Sequence, residues 1–422
     1  MIFDEELQQL LQYSDFQPRF LEDIKGLKNG NVNSEINNSD IEVNQRYCQS
    51  PQCRFLFVYS NSGSSNIDFL STFAYLSIKL NRTLVLTNVG QSRLDSCKKF
   101  PFEFYYNIEY LRKKFHRLSF TSQVHFQNWT RERFKEPNFH YLHFTSSSSS
   151  SSFDQDEDDE HIENIKLNDR SVKRTNCLEN FKMKFNSNFT SFEKIIFKSR
   201  LSLNSFGGKK LSKSLIKNLE GSNSEILLIN YDIKRETFHP VSVKYLYSQH
   251  IYQEAWEIKM ALKPFIAIYW NMIGITDATI LSNCAEKLIN ALKGLRENYN
   301  LNNIYLSTDY PISSDFTSFR HITKDHRRAI NLLSSTVNIN TWSSFDAFNE
   351  IRQEKGNHEE FKGTGIVSIL DKLVCIESDY FITAPSECSS KSTNDFIKEI
   401  ISTRQVLDDD DNQRIQNIIS RW

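Results

Sequence analysis

An apolar run of six residues, Phe265–Trp270, constrains the fold of this chain more than any other segment. The run has the length of a strand and shows no alternation of polar and apolar side chains. A strand with this pattern is buried on both faces, as in the parallel sheets of α/β proteins. We therefore predict that the second half of the chain is built on a parallel sheet, with a ligand-facing loop directly after residue 270.

The segments after this run alternate between helical and strand patterns. Residues 280–295 carry apolar side chains at helical spacing, and a strand-length run follows at 303–308. Helical patterns at 326–333 and 366–374, followed by a strand pattern at 380–382, extend the alternation. Strands that alternate with helices predict a doubly wound α/β domain, in which ligands bind at the carboxyl ends of the strands.

The first half of the chain repeats this logic. A strand pattern at 54–59 is followed by a glycine-containing loop at 60–66, a helical pattern at 69–80 and a second strand pattern at 83–87. This order predicts a βαβ unit with parallel strands. The loop after the first strand is expected at the ligand-binding edge of its sheet.

Changes in composition divide the chain into four parts. Residues 1–50 contain an Asn-, Ser- and Gly-rich stretch and are expected to form a disordered tail or stalk. Residues 51–248 are predicted to form an N-terminal Rossmann-like lobe, interrupted by a disordered Ser- and Asp-rich insert at 145–165. A second Rossmann-like lobe is predicted at 249–405, followed by a C-terminal helix at 406–422.

The charge balance and the hydropathy of the chain exclude two kinds of partner. A net charge of −1 gives no overall field to attract nucleic acid or an anionic membrane. No run of about 18 apolar residues occurs, so no transmembrane segment is predicted in this sequence. Aromatic residues make up 13% of the chain, which indicates folded domains with solvated insertions.

The start of the sequence and its cysteines point to different compartments. The first residues are acidic and lack the pattern of a signal peptide, which predicts a cytoplasmic protein if this start is complete. Cys48 and Cys53 are spaced to close a small disulfide loop, as in secretory proteins. The seven cysteines fit no zinc pattern, and both disulfides and buried free thiols are compatible with them. Four sequons for N-glycosylation begin at Asn37, Asn81, Asn128 and Asn188.

Several short motifs along residues 54–404 resemble the GDP-fucose protein O-fucosyltransferase family. The motifs occur in the right order along the chain, each at a predicted strand end. They are the loop Gly63–Asn66, Asn81–Leu86, Phe265–Trp270, Leu306–Pro311, and Asp371–Ile382 with the following Ser389–Thr393.

The resemblance implies a fold and an activity. The fold is the GT-B type, with two Rossmann-like lobes, parallel sheets, a cleft between the lobes and donor-nucleotide binding in the lobe at 249–405. The implied activity is a metal-independent, inverting transfer of fucose from GDP-fucose to a Ser or Thr hydroxyl, without a cofactor. The implied partner is an acceptor glycoprotein or folded protein domain in the lumen of the secretory pathway.

The resemblance also implies which residues bind the donor. They are Gly63, Asn66, Tyr269, Asp309, Asp371, Ser392 and Thr393. Three of these have an ordinary structural alternative: Asn66 as a helix cap, Asp309 as the cap of the turn before Pro311, and Asp371 as a solvent-facing helix acid.

Asn271 is the main departure from the family pattern. The family strand runs into a His-x-Arg motif whose arginine binds the pyrophosphate, and the matching residues here are Tyr269, Trp270 and Asn271. We place Asn271 at the catalytic position, where a short neutral amide replaces a bidentate cation. Losing one such contact to the transition state typically lowers the rate about a hundredfold or more.

Three hypotheses about function follow from these observations. The first is a GDP-fucose-dependent glycosyltransferase whose activity is weak or altered. The second is a catalytically silent member of the family, which binds a nucleotide sugar or a glycoprotein without transfer. The third is a cytoplasmic α/β binding module, which glycans at Asn81 or Asn128 would exclude.

Overall fold

The protein is described here from a computed structural model, and its described residues fall into two compact units. One unit lies within Asn33–Ser248 and the other within Gln249–Trp422. The structure describes residues 40–59, 69–90, 93–98, 100–146, 162–166, 191–197, 216–217, 219–232, 245–311, 322–355, 361, 365–390, 394–410 and 420–421.

The first unit is built on a parallel sheet with one antiparallel edge strand. Its strands are β1 (Phe55–Tyr59), β2 (Thr83–Leu86), β3 (Val89–Gly90), β4 (Arg93–Leu94), β5 (Phe120–Ser122), β6 (Phe139–Ser146), β7 (Ile162–Lys166), β8 (Ser191–Phe197) and β9 (Ile226–Asp232). The large sheet has the order β5-β2-β1-β9-β6-β8-β7, and β3 pairs with β4 separately. All neighbours in the large sheet are parallel except β7 and β8.

The helices of the first unit complete the predicted βαβ unit and its core. They are α1 (Asp40–Cys48), α2 (Phe69–Lys79), α3 (Phe102–Tyr105), α4 (Ile108–Lys114) and α5 (Gln123–Glu132). Strand β1 pairs in parallel with β2 across α2, which confirms the βαβ prediction. Helix α5 packs Phe126 and Trp129 against Phe55 of β1, so aromatic side chains form much of this core.

The second unit has an all-parallel sheet. Its strands are β10 (Phe265–Trp270), β11 (Asn303–Thr308), β12 (Tyr380–Thr383) and β13 (Ser420–Arg421), in the order β11-β10-β12-β13. Its helices are α6 (Gln249–Leu262), α7 (Leu281–Tyr299), α8 (Lys324–Thr336), α9 (Asn349–Lys355), α10 (Ile366–Glu377) and α11 (Asn394–Asp410).

Helices cover both faces of this second sheet. Ile266 and Ile268 of β10 pack into one cluster with the apolar faces of α7 and α8. On the other face, Tyr305 of β11 hydrogen-bonds to Asp371 of α10. Because successive side chains of a strand point to opposite faces, these contacts place α7 and α8 on one side and α10 on the other. The doubly wound prediction for this half is confirmed.

Three sequence predictions are wrong in part. The N-terminal tail does not extend to residue 50, because α1 packs with Val43 and Asn44 buried. The insert at 145–165 is not disordered at its two ends, since Thr145 and Ser146 belong to β6 and β7 begins at Ile162. The predicted helix at 406–422 is also misplaced, because α11 ends at Asp410 and residues 420–421 form β13. The rest of the tail and of the insert lies outside the described residues.

Disulfides rather than free thiols account for most of the described cysteines. Cys48 and Cys53 are bonded, as their spacing predicts, with 5.7 Å between their Cα atoms. Cys284 of α7 is bonded to Cys388, after β12, with 5.9 Å between their Cα atoms. Cys97 is also disulfide-bonded, whereas Cys375 is a buried free thiol.

Over the described ranges, no helix combines the length and the apolar character needed to cross a membrane.

Candidate functional site

The candidate site lies at the carboxyl edge of the second sheet. Strands β10, β11 and β12 are parallel, so the segments that follow them emerge at the same edge. These segments begin at Asn271, Asp309 and Ala384. A backbone hydrogen bond joins two of them, since Ser390 N donates to Asn271 O over 3.1 Å.

Asp309 fixes the turn that follows β10. Its Oδ1 accepts a hydrogen bond from Met272 N at 2.8 Å, and its Oδ2 accepts one from Ile273 N at 2.9 Å. A carboxylate that receives two consecutive backbone N–H groups holds a turn in one conformation. Gly274 continues the turn with a φ of +90°, in the left-handed region that favours glycine. Asp309 therefore binds the neighbouring segment.

His326 holds the same turn from helix α8. Its Nε2 lies 3.1 Å from Met272 O, and Nε2 must be the donor because a carbonyl oxygen only accepts. Its Nδ1 lies 2.8 Å from the hydroxyl of Thr323, which precedes the helix. Sequence analysis missed this residue. The available signal was a histidine three residues after a threonine at a helix start, which is a capping-box arrangement.

Burial gives Asp309 an unusual protonation equilibrium. The loss of solvation raises the pKa of its carboxyl to about 7, although the N–H groups of Met272 and Ile273 oppose that shift. The deprotonated carboxylate accepts hydrogen bonds from both N–H groups. The strength of these two hydrogen bonds therefore changes near neutral pH.

Tyr269 and Asn271 flank Trp270 in the sequence, where β10 ends and this turn begins. The Tyr269 ring stacks on Phe396 of α11, with ring centroids 4.6 Å apart. Burial raises the pKa of the Tyr269 hydroxyl, and a hydrogen bond from the Asn271 side chain opposes the shift. Asn271 is only 9% exposed, yet its Oδ1 has no hydrogen-bond partner in the described part of the chain. An acceptor is thus left unsatisfied at the edge of the sheet.

Asp371 belongs to α10 and lies in a buried polar network between this helix and strand β11. Its Oδ1 accepts from the Tyr305 hydroxyl at 2.6 Å, and its Oδ2 accepts from the Ser307 hydroxyl at 3.1 Å. Burial raises the pKa of this carboxyl to about 7, and the two hydroxyl donors oppose the shift. The neighbouring thiol of Cys375 also has a raised pKa because it is buried. The solvent-facing alternative for Asp371 is wrong, and its part in donor binding stays a prediction.

Four of the proposed donor-binding residues lie outside the described residues. These are Gly63, Asn66, Ser392 and Thr393. The structure brings Tyr269, Asn271 and Asp309 together at one edge and places Asp371 in the core beside the same strand, β11. Their roles as donor-binding or catalytic residues stay predictions.

The two buried carboxyls predict a stability that falls as pH rises. Both pKa values are raised from 3.8 to about 7, so between about pH 4 and pH 7 the folded protein holds two protons that the unfolded chain has already released. The free energy of unfolding should therefore decrease through this window and level off above it. For each carboxyl, three pKa units correspond to at most about 4 kcal/mol.

Urea denaturation at a series of pH values measures this effect. Asp371→Asn should flatten the fall between pH 4 and pH 7, whereas Glu286→Gln, at an exposed position of α7, should leave it unchanged. An unchanged slope in Asp371→Asn would show that this carboxyl titrates below the window.

Comparisons with known proteins find a likeness of fold. A crystal structure of POFUT1 in complex with GDP-fucose matches with a TM-score of 0.41 at 12% identity, over 85% of this chain and 95% of that chain. A second crystal form of that complex gives 0.41 at 13%, over 83% and 94%, and POFUT1 in complex with GDP gives 0.39 at 12%, over 85% and 96%. No protein-family model and no curated protein sequence matches the chain.

The likeness concerns the arrangement of helices and strands alone. At this identity and TM-score, it transfers no residue's role to this chain. The α/β fold class with parallel sheets in two units, predicted from the sequence, is confirmed by the strand order and pairing within each unit.

Proposed function

We propose that the protein is a GDP-fucose-dependent glycosyltransferase that transfers fucose to a Ser or Thr hydroxyl of a protein acceptor, without a metal or cofactor. The donor nucleotide would bind at the carboxyl edge of the second sheet. The observation that carries this proposal is the turn at Asn271–Ile273. It follows the central strand of a parallel sheet, where such folds bind ligands, and side chains from β11 and α8 hold it in place.

The ordered motifs of the sequence support the same site. The resemblance to the O-fucosyltransferase family aligns this turn with the family's pyrophosphate-binding motif. A preformed turn lowers the entropy lost when a ligand binds, which is a general property of binding and catalytic loops. Asp309 and His326 supply that preorganisation here, since the side chains of both form hydrogen bonds with backbone groups of the turn.

Asn271 sets the expected level of activity. Its amide offers single, neutral hydrogen bonds to a phosphate oxygen, whereas an arginine offers two charged ones. A developing negative charge on the leaving GDP is therefore stabilised less well, on the order of 3 kcal/mol less. Transfer should be about a hundredfold slower than with a cation at this position.

A catalytically silent protein that binds a nucleotide sugar or glycoprotein is the second candidate function. One observation favours it: the buried Oδ1 of Asn271 is an acceptor that receives no hydrogen bond from any described residue. An acceptor repels phosphate oxygens and attracts hydroxyl groups, so this atom suits a sugar better than a pyrophosphate.

Calorimetric titration with GDP and with GDP-fucose tests both candidates, together with an assay of GDP-fucose hydrolysis. We expect binding of both ligands and slow turnover. Asn271→Arg should tighten GDP binding at least tenfold and raise turnover, while Asn331→Arg, an added charge at an exposed position of α8, should change neither. Binding without turnover in both the native protein and Asn271→Arg would favour the silent protein. No binding by either would refute the proposal.

A further inference from the structure

The sequon Asn81-Arg82-Thr83 lies in a helix-ending turn at the surface of the first unit. Helix α2 ends at Lys79, and the backbone of the next residues closes it. Arg82 N donates to Ser77 O at 3.0 Å, and Asn81 N donates to Ile78 O at 3.3 Å. These two bonds form a Schellman motif, in which the residue at the Asn81 position takes a left-handed conformation. Asn81 has a φ of +47°, as this motif requires.

The side chain of Asn81 takes no part in this cap. Backbone groups make both of the closing hydrogen bonds, and the side chain is exposed. Asparagine tolerates the left-handed region well, which explains an Asn at this position. The amide nitrogen of Asn81 is therefore accessible in the folded unit and can be substituted without loss of a structural contact.

The rest of the sequon is anchored to the sheet. Arg82 is 3% exposed, and its guanidinium donates to Ser222 O and Ser224 O, each at 2.9 Å. Thr83 begins β2, and its Oγ1 lies 3.2 Å from the hydroxyl of Ser119 in an exposed contact. These contacts fix the backbone on one side of Asn81, so that its side chain projects from the turn.

A second described sequon provides a contrast within the same unit. Asn128 lies inside helix α5, where it is half-buried. The following Trp129 is fully buried, and Thr130 is 1% exposed with its hydroxyl donating to Gln127 O. A substituent on Asn128 would emerge from a packed helix face, whereas one on Asn81 would enter solvent. The remaining sequons, at Asn37 and Asn188, lie outside the described residues.

Disulfides in both units indicate an oxidising compartment. The Cys48–Cys53 and Cys284–Cys388 bonds are of a kind that persists in the secretory pathway and is rare in the cytosol. N-glycosylation takes place in that same compartment. The chemistry of the cysteines and the placement of Asn81 therefore point to one setting.

We propose that Asn81 is an acceptor for an N-linked oligosaccharide. The co-reactant is an oligosaccharide carried on a lipid pyrophosphate. The Asn81 amide nitrogen forms a bond to the anomeric carbon, the bond from that carbon to the lipid pyrophosphate breaks, and the pyrophosphate leaves with the electron pair. The amide nitrogen loses one proton to the solvent. This site is independent of the proposed transferase activity.

Peptide mapping tests the proposal on the full chain, secreted from eukaryotic cells behind a cleavable signal sequence. Enzymatic removal of N-glycans in ¹⁸O-labelled water converts each glycosylated asparagine to labelled aspartate. We expect the label at Asn81 in most molecules and its absence at Asn128. An unlabelled Asn81 in folded, secreted protein would overturn the proposal, as would labelling of Asn128 instead.

Matched variants separate the modification from effects on folding. Asn81→Gly removes the acceptor and keeps a residue suited to a positive φ, so it should lose one glycan and still fold. Thr83→Ser retains the sequon and should retain the glycan, whereas Thr83→Val is isosteric and should lose it. A label at Asn81 that persists in Thr83→Val would contradict N-linked transfer at this site.

Discussion

Replacing Cys284 and Cys388 together with serine is expected to lower the free energy of unfolding of the second unit by about 5 kcal/mol. The bond joins residues separated by 104 positions, and the chain entropy that a cross-link removes from the unfolded state grows with the length of the closed loop. Both sulfurs are also buried in the core formed by β10, α7 and α8, where serine hydroxyls would lack partners.

The short Cys48–Cys53 loop is the matched control for this prediction. Its sequence separation is only 5, so the same entropy argument gives about 2 kcal/mol for its double serine variant. Urea denaturation followed by hydrogen exchange of each unit's peptides resolves the two effects, because the bonds lie in different units. Equal losses in the two variants would contradict the dependence on loop length.

The long-range disulfide also bears on the candidate site. Cys388 O accepts a hydrogen bond from Trp270 Nε1 at 2.9 Å, and Ser390 N donates to Asn271 O two residues later. The segment after β12 is therefore tied to the end of β10 by one side-chain and one backbone hydrogen bond, and to α7 by the covalent bond. Loss of the bond should loosen the Asn271 turn as well as the unit as a whole.

The sequence predicts the central strands well because their burial is written in local composition. β10 is an apolar run and β11 has three apolar residues at its centre, and the structure begins and ends both strands at the predicted residues. Strands β6 and β8 are harder to predict, since they mix polar and apolar residues and owe their strand conformation to pairing across long stretches of chain. The sequence of α1 is polar, and for that reason it predicts a tail where the structure has a helix.

The contacts that stabilise α1 cannot be predicted from its local sequence. The Asn44 side chain accepts a hydrogen bond from Trp129 Nε1 at 2.9 Å and one from Arg133 at 2.8 Å. These partners lie more than 80 positions away in the chain. A buried polar side chain becomes favourable only with such partners, which a helical or apolar pattern does not reveal.

The candidate site is predictable in its position but not in its contacts. Parallel strands bring Asn271 and Asp309 to one edge, and topology alone gives that result. Which backbone groups Asp309 accepts depends on the turn after β10 and on His326 behind it. One overlooked signal was the alternation of Tyr305, Ser307 and Asp309 along a buried strand. Polar side chains on one face of such a strand require a partner, and Asp371 supplies it for the first two.

Arg404→Met is expected to lower the free energy of unfolding of the second unit by at least about 3 kcal/mol. Arg404 lies on α11 and is 2% exposed. Its Nη1 donates to the carbonyl oxygens of Cys375, Ile376 and Ser378, at 2.7–2.9 Å. The last carbonyls of a helix have no partner within the helix, so this guanidinium satisfies the end of α10 and the start of the connection to β12. Methionine fills similar space but leaves those buried acceptors without a donor.

Urea denaturation compares this variant with Gln405→Met, which places the same side chain at the exposed neighbouring position of α11. The control should change the free energy of unfolding by no more than about 0.5 kcal/mol. Arg404→Lys should fall between the two, because an ammonium group retains the charge without the planar fork of donors. If Arg404→Met is as stable as Gln405→Met, the carbonyls at the end of α10 must receive hydrogen bonds from other donors. The packing of α10 against α11 would then not depend on the guanidinium.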